Sequence, residues 1–459
     1  MNYTKRTLLH PSGVNYLGPI PENWSINKLR YVAKYVVSNV DKVPSETEVP
    51  IRLCNYTDVY NNEFVGKTLP FMETTATSSE IDRFSLEPED ILITKDSESW
   101  EDIAVPAMVQ EKIDNLVCGY HLAIIRSRKG EVSPRFLFRY LQSKQINQHF
   151  QIAATGVTRF GLPKNEIGTL VIAIPPASEQ YSICNFLDTK TAQIDTLVRK
   201  KEELIEKLQE KRSALILRTV TRGLPPEAAR PAGLEPHPKM KHSGVPWLGA
   251  IPGHWQVKKF GYISRVVRGA SPRPAGDTRY FDGDFIPWIT VGEVTKDEKV
   301  YLTSTETMLT EEGATNSRTI RSHTLVLTNS GATLGVPKIL SITGCANDGI
   351  VAFEGLREDT NKVFLYYYLR SLTENLRDRI KQGSGQPNLN TDIIKAISVP
   401  FPPPAEQAAI AAYLDSETTE LDALVAKVEM AVERLHEYRS ALITAAVTGK
   451  IDVRNYSRD

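Results

Sequence analysis

The chain has 459 residues, 41% of them hydrophobic and 24% charged, with Lys plus Arg and Asp plus Glu balanced at 55 each. That is the composition of an ordinary soluble globular protein of about three domains. It excludes a strongly basic polyanion binder at the level of net charge, although a basic face can be offset by acidic helices elsewhere.

The start, MNYTKRTLLHPSG, is polar and lacks an apolar signal core, and no run approaches the ~20 apolar residues of a membrane span. Four scattered cysteines (Cys54, Cys118, Cys184, Cys345) fit neither a disulfide framework nor zinc spacing. A reducing, cytoplasmic setting is expected.

Ser12–Lys28 (SGVNYLGPIPENWSINK) opens a pattern that returns at Ser243–Lys259 (SGVPWLGAIPGHWQVKK), nine of seventeen positions being identical. In each copy Gly and Pro set a turn and Trp24 or Trp255 supplies an apolar anchor. Further on, Pro50–Val59 corresponds to Phe285–Val294, Cys118–Ile125 to Cys345–Ala352, and Phe136–Ser143 to Phe364–Ser371. The first two correspondences predict strands and the last a short amphipathic helix.

After Ile174-Pro175-Pro176 comes a helical pattern to Gly223, with Ser178 available as N-cap and Glu179 in the first turn. The second such helix, Ala405–Thr448, carries Leu421, Leu424, Val428, Ala431, Leu435, Tyr438 and Leu442 at alternating steps of three and four, the period of a coiled-coil seam. Residues 174–221 and 401–448 align without gaps at 23 identities in 48 positions. The first helix has Lys201 and Lys211 where the second has Val428 and Tyr438, so the two are expected to pair with each other.

The predicted organisation is therefore a mixed α/β fold with an internal pseudo-two-fold repeat. Two globular α+β units, 1–173 and 241–400, alternate with long helices at 174–223 and 401–450 that form an antiparallel coiled coil. A Pro-rich linker at 224–240 and a tail at 451–459 complete it.

Catalytic machinery is missing from the pattern. Neither a GxxxxGK[ST] phosphate loop nor a strand-to-helix GxGxxG occurs, nor does the Asn/Asp-Pro-Pro-aromatic motif of amino-methylating enzymes. Asp297-Glu298-Lys299, with Asp284 upstream, has a nuclease-like spacing that arises readily by chance, and His121 reads as a satisfied polar residue on a strand edge.

What the units offer instead is polar, glycine-punctuated loops at equivalent places. Arg can grip guanine and Asn or Gln adenine in a bidentate way, while Ser, Thr and backbone amides hold phosphates. The side chains so picked out are Lys95, Ser97, Thr158, Arg159 and Lys164 in the first unit. In the second they are Arg268, Ser271, Arg273, Asn329, Ser330, Thr333, Ser384, Gln386, Asn388 and Asn390. A common frame with different loop side chains is what two different targets require.

With SGV..LG.IP..W at 12 and 243, Pro-Pro-x-x-Glu-Gln at 175–180 and 402–407, and Arg-Ser-Ala-Leu-Ile at 212–216 and 439–443, the sequence resembles the specificity subunits of type I restriction–modification systems. The resemblance spans nearly the whole chain. It implies two target-recognition domains reading a bipartite, asymmetric site in double-stranded DNA, and a helix pair that fixes the spacer. It implies two modification subunits that methylate adenine N6 with S-adenosylmethionine, and restriction subunits that use ATP and Mg. This chain would hold no cofactor, no metal and no catalytic residue. The neutral net charge predicts weak DNA binding by the isolated chain. The same design could serve another nuclease or a modification-only complex; a coiled-coil protein adaptor is the reading from another class, and it predicts exposed apolar anchors on the loops.

Overall fold

The computed structural model describes residues 5–331, 333–379, 389–454 and 456. The chain divides into two compact units, residues 1–202 with 429–459, and residues 203–428. Each long helix thus begins in one unit and ends in the other.

The first unit is built on strands β1 (Ala33–Val37), β2 (Phe64–Val65), β3 (Ile91–Thr94), β4 (Pro106–Val109) and β5 (Leu122–Ser127), followed by helices α1 (Pro134–Leu141) and α2 (Ala177–Arg222). The second repeats it with β6 (Arg265–Arg268), β7 (Tyr301–Leu302), β8 (Leu325–Thr328), β9 (Pro337–Leu340) and β10 (Ile350–Glu354), then α3 (Lys362–Arg379) and α4 (Pro404–Val447). The sheet orders are β1-β5-β3-β4-β2 and β6-β10-β8-β9-β7. In both, the three inner pairings are antiparallel and the last is parallel.

The central strands are apolar on both faces. Ile91 and Ile93 face one core cluster and Leu92 another; Leu325 and Leu327 face one and Val326 another. Two-sided burial of this kind requires uninterrupted Ile/Leu/Val runs rather than alternation, and each such side chain contributes on the order of 1.5–3 kcal/mol.

The repeated phrases have structural roles that recur in both units. Gln180 accepts a hydrogen bond from the Ser133 amide at 2.8 Å and donates to the Pro175 carbonyl at 2.9 Å. Gln407 does the same to Asn361 and Pro402, both at 2.8 Å. The glutamine thus ties the start of each long helix to the start of the short helix before it. The neighbouring glutamates reach the proline turn: Glu179 accepts from Asn23 at 3.3 Å, and Glu406 pairs with His254 at 2.8 Å. Trp24 and Trp255 are buried, and beside them lie Gly449 and Gly223, the residues that end the long helices.

In each unit one long helix runs antiparallel to the other. In the first, Asp195 meets Arg439 while, further toward the start of α2, Lys190 lies under Tyr456. In the second, Arg212 meets Asp422 while Gly223 lies beside Glu406.

The seam differs in detail from the sequence reading. The covered positions of α4 include Leu421, Val425, Val428, Ala431, Val432, Leu435, Arg439 and Leu442, whereas Leu424 and Tyr438 are 43% and 42% exposed. Lys201 is half-buried on the corresponding face of α2, but Lys211 is exposed and the seam position is Arg212. An arginine is tolerated there because its stem covers apolar surface while its guanidinium reaches a carboxylate. Ser178 is not the N-cap: the Glu179 and Gln180 amides both donate to the Pro176 carbonyl, so the cap is the proline and Ser178 lies inside the first turn.

The segment predicted as a linker holds a short helix, Pro226–Ala229, and leads to strand Met240–His242. All four cysteines are free and buried, and burial pushes the Cys54 and Cys184 thiols up, the latter to about 12.

Candidate nucleic-acid interface

At the end of the first sheet where β3 leaves and β5 enters, three loops meet. The backbone folds so because residues 96–97 pair with Phe160–Gly161 in a two-residue antiparallel ladder, and the Leu162 amide donates to the Lys95 carbonyl at 2.9 Å. Thr155 and Gly161 exchange backbone bonds at 3.0 and 2.8 Å, which throws Val157, Thr158 and Arg159 outward as an exposed tip. Gly156 (φ +143°) sits in the neck, where a Cβ would lie 1.9 Å from the Arg159 carbonyl oxygen. That closure requires glycine.

A chain of polar contacts crosses these loops. Lys95 Nζ lies 2.7 Å from Asp96 Oδ2, His121 Nδ1 is 3.3 Å from the same oxygen, and Arg159 Nη2 is 2.9 Å from His121 Nδ1. Burial lowers the His121 pKa; Asp96 opposes the shift and Arg159 adds to it. A neutral imidazole can then accept from the guanidinium. Ser97 is buried, its hydroxyl shared between Tyr56 at 3.3 Å and the Ser99 amide at 3.2 Å. Tyr60, Trp100 and Tyr120 add exposed aromatic surface at this end, and Tyr120 lies against His121, ring centroids 3.5 Å apart and planes tilted by 43°.

The second unit builds the same frame with other side chains. Thr328-Asn329-Ser330 stands where Thr94-Lys95-Asp96 stands, and the Leu389 amide donates to the Asn329 carbonyl at 2.7 Å as Leu162 does to Lys95. Asn347-Asp348-Gly349 replaces the turn Gly119-Tyr120-His121. Asp348 is the hub: its backbone carbonyl accepts from Arg268 Nε at 2.5 Å, and its carboxylate accepts from Ser271 at 2.7 Å and pairs with Arg273 at 3.2 Å. The Ser271 hydroxyl, followed by the Arg273 and Arg268 charges, holds that carboxyl below its usual range against the effect of burial.

Arg268 and Arg273 stay exposed. Asn329 is 1% exposed, and among the described residues neither end of its carboxamide has a hydrogen-bond partner. An unpaired buried amide costs on the order of 1–3 kcal/mol.

Of the side chains singled out in the sequence, the fold brings together Lys95, Ser97 and Arg159, with Thr158 at the loop tip, and Arg268, Ser271, Arg273, Asn329 and Ser330. Lys164 is exposed at the start of the helix Lys164–Ile167. Asn390 caps the helix Thr391–Ala396, accepting from the Ile393 amide at 2.8 Å. Thr333 is half-buried and lines a cavity beside α2. Ser384, Gln386 and Asn388 lie outside the described residues.

The hubs Asp96 and Asp348 and the exposed aromatics were missed by the sequence reading. Turn position is the one signal that could have found the hubs: each lies two residues from a strand end, where a carboxylate can tie two loops together.

Elsewhere the polar groups are structural. Asp297 is taken by Lys338, Nζ to Oδ1 2.5 Å, so the acidic triplet is not an open carboxylate site. Among the described residues no cluster of His, Cys, Asp and Glu could hold a metal ion, and no helix is long and apolar enough to cross a membrane.

The family model for the type I restriction modification DNA specificity domain matches twice, over residues 22–207 and 252–434. Over 95% of this chain and 96% of its own length, the putative type I restriction enzyme MjaX specificity subunit of Methanocaldococcus jannaschii is 21% identical. The MjaIX specificity subunit of the same organism is 33% identical over 36% of this chain and 38% of its own length.

A solved chain from work on complex assembly and conformational transition of the type I R-M system matches at a TM-score of 0.70 and 18% identity, covering 94% of this chain and 99% of its own. The HsdS subunit from Thermoanaerobacter tengcongensis matches at 0.51 and 19%, covering 94% and 98%. These solved structures share the fold, and the twofold match of the family model coincides with the two loop-bearing units. The chain belongs to the type I restriction–modification DNA specificity family.

Proposed function

We propose that this chain selects the DNA sequence on which a type I restriction–modification complex acts, each unit reading one half of a bipartite, asymmetric site in double-stranded DNA. The observation that carries this is the pair of loop clusters: one backbone frame, holding Lys95, Asp96, His121 and Arg159 in one unit and Arg268, Ser271, Arg273, Asn329 and Asp348 in the other. Arginines at such edges suit guanine O6/N7, an asparagine amide suits adenine N6/N7, and the half-buried Lys95 and exposed Lys164 suit phosphates. His121 holds Arg159, and the Asp348 carbonyl and carboxylate hold Arg268 and Arg273, so little side-chain entropy is lost on binding.

The two copies of the helix-start motif offer equivalent surfaces, which favours docking of two modification subunits. Adenine-N6 methylation with S-adenosylmethionine, and ATP- and Mg-dependent cleavage, belong in this reading to partner subunits in the cytoplasm. Methylation mapping of host DNA with and without the gene for this chain tests it. A split motif carrying modified adenines should disappear with the chain; a methylome that does not change contradicts the reading.

A further inference from the structure

The first unit holds its exposed loop arginine through an imidazole, whereas the second has a glycine at that place. The His121 side chain is 13% exposed and lies between two loops. Its Nδ1 stands 3.3 Å from Asp96 Oδ2, and its Nε2 stands 2.8 Å from Arg159 Nη2. A guanidinium only donates and a carboxylate only accepts, so a single neutral tautomer satisfies both neighbours. In it Nδ1–H donates to Asp96 and the bare Nε2 accepts from Arg159. Among the described residues no other side chain takes a hydrogen bond from the Arg159 guanidinium.

A second proton on the ring removes that acceptor and sets two cations 2.8 Å apart. The charges around the ring are Asp96 and Lys95 from the loop after β3, Arg159 from the loop tip, and Lys42 from the loop after β1. Burial resists the second proton, the Asp96 hydrogen bond favours it, and Arg159 and Lys42 tip the balance toward the neutral ring. Asp96 is already shared with Lys95 at 2.7 Å, so it offers Arg159 no vacant place.

We propose that His121 is a positioning residue of the first unit: neutral, it aims Arg159 at the DNA, and on taking a second proton it releases Arg159 and loosens the reading of that half-site alone. The inference rests on the reading of these loops as a DNA interface.

The second unit responds differently. Gly349 stands where His121 stands, its carbonyl accepting from the Asn329 amide as the His121 carbonyl accepts from Lys95. Arg268 and Arg273 are held by the carbonyl and carboxylate of Asp348. That carboxyl lies below its usual range, so it stays ionised wherever an imidazole titrates. The first half-site alone should lose grip as pH falls through a value below histidine's ordinary one of about 6.5.

The test uses the full chain assembled with modification subunits, and duplexes carrying the mapped split motif with one half or the other scrambled. The first unit's half is the one that survives exchange of residues 245–400. Fluorescence anisotropy at about pH 7.5 and about pH 5.5 gives the preference for each half, and sequence-independent attraction cancels in that ratio. In the wild-type complex the first-half preference should fall about ten-fold on acidification, the worth of one hydrogen bond from a charged donor. The second-half preference should hold. His121→Ala should show the lowered first-half preference at both pH values. His121→Gln, whose carbonyl can accept from Arg159 but does not titrate, should stand above His121→Ala and show no pH dependence.

A first-half preference that acid leaves alone, an equal fall in both halves, or a pH dependence that persists in His121→Gln overturns the proposal and leaves the DNA reading standing. A wild-type complex that prefers neither half at about pH 7.5 would remove the DNA reading, and this inference with it.

Discussion

Arg439 lies with its Nε 2.8 Å from Asp195 Oδ1, and the residues holding their places in the other repeat, Arg212 and Asp422, make the same pair at 2.9 Å. Each long helix therefore contributes an aspartate from its first half and an arginine from its second. The pairing is reciprocal, as an internal repeat with antiparallel helices demands.

The pairs are not energetically equal. Exposure does not separate them, the arginines being 18% and 13% exposed and the aspartates 52% and 50%, but Arg439 also reaches the more deeply placed Glu63, which is 23% exposed. Removing the partner of a buried charge is far more costly than breaking a solvent-screened pair. Arg439→Ala should cost about 2–3 kcal/mol and Arg212→Ala about 1 kcal/mol or less. Urea unfolding of both variants checks this, and equal losses would show that the Glu63 contact adds nothing.

Glu63 also sets a pH dependence. Burial alone would raise its pKa, but the Arg139 and Arg439 charges overcome that and hold it below the usual range. A carboxyl with a lowered folded pKa contributes stability that is fully present above its unfolded value, about 4.3. That contribution is lost as pH falls through the lower folded value. Glu63→Gln should flatten the acid side of the stability profile between about pH 5 and pH 3, measured as the urea midpoint at each pH. Parallel profiles for the two proteins would contradict this.

Much of this architecture was legible in the sequence because repetition and period need no three-dimensional information. The two helices, the Trp turns and the Gln-bearing leaders all declared themselves by recurring. The seam register was harder. Tyr438 is large and apolar and Arg439 is charged, so period alone favoured Tyr438. The structure reverses them because a carboxylate stands opposite Arg439. The loops were located but their wiring was not: Asp348 gathers Arg268, Ser271 and Arg273 across 75 to 80 residues of sequence, a separation that no local pattern reports.

The glycines that end the helices predict a further asymmetry. Gly449 (φ +69°) would place a Cβ 2.4 Å from Pro21 Cγ and 3.1 Å from the Trp24 ring, while the nearest atom to a Cβ at Gly223 (φ +85°) is Glu406 Oε1 at 3.5 Å. Both alanine variants carry the left-handed backbone cost of about 1 kcal/mol. Gly449→Ala should lose at least about 1 kcal/mol more from overpacking. Thermal unfolding distinguishes the two, and a Gly223→Ala variant as damaged as Gly449→Ala would refute the packing argument.

The reciprocal ion pairs also constrain how the helices can be lengthened. An insertion in one helix alone would put Asp195 and Arg439, or Arg212 and Asp422, out of step. Seven residues added to both helices, after Lys201 and after Val428, keep the heptad seam and both pairs. At about 1.5 Å per residue this adds about 10 Å, or about three base pairs. The mapped methylation motif should gain about that many unspecified positions with both halves unchanged; a motif with its original spacer would count against the helices as a ruler.

The most direct measurement of the central claim exchanges one recognition unit. Residues 245–400 are replaced by the equivalent segment of a relative with a different target, and adenine methylation is mapped across the genome in cells carrying the assembled complex. The account predicts a hybrid motif in which one half changes to the donor's and the other half and the modified adenine within it stay as they were. Change in both halves, or in neither while methylation persists, would contradict it.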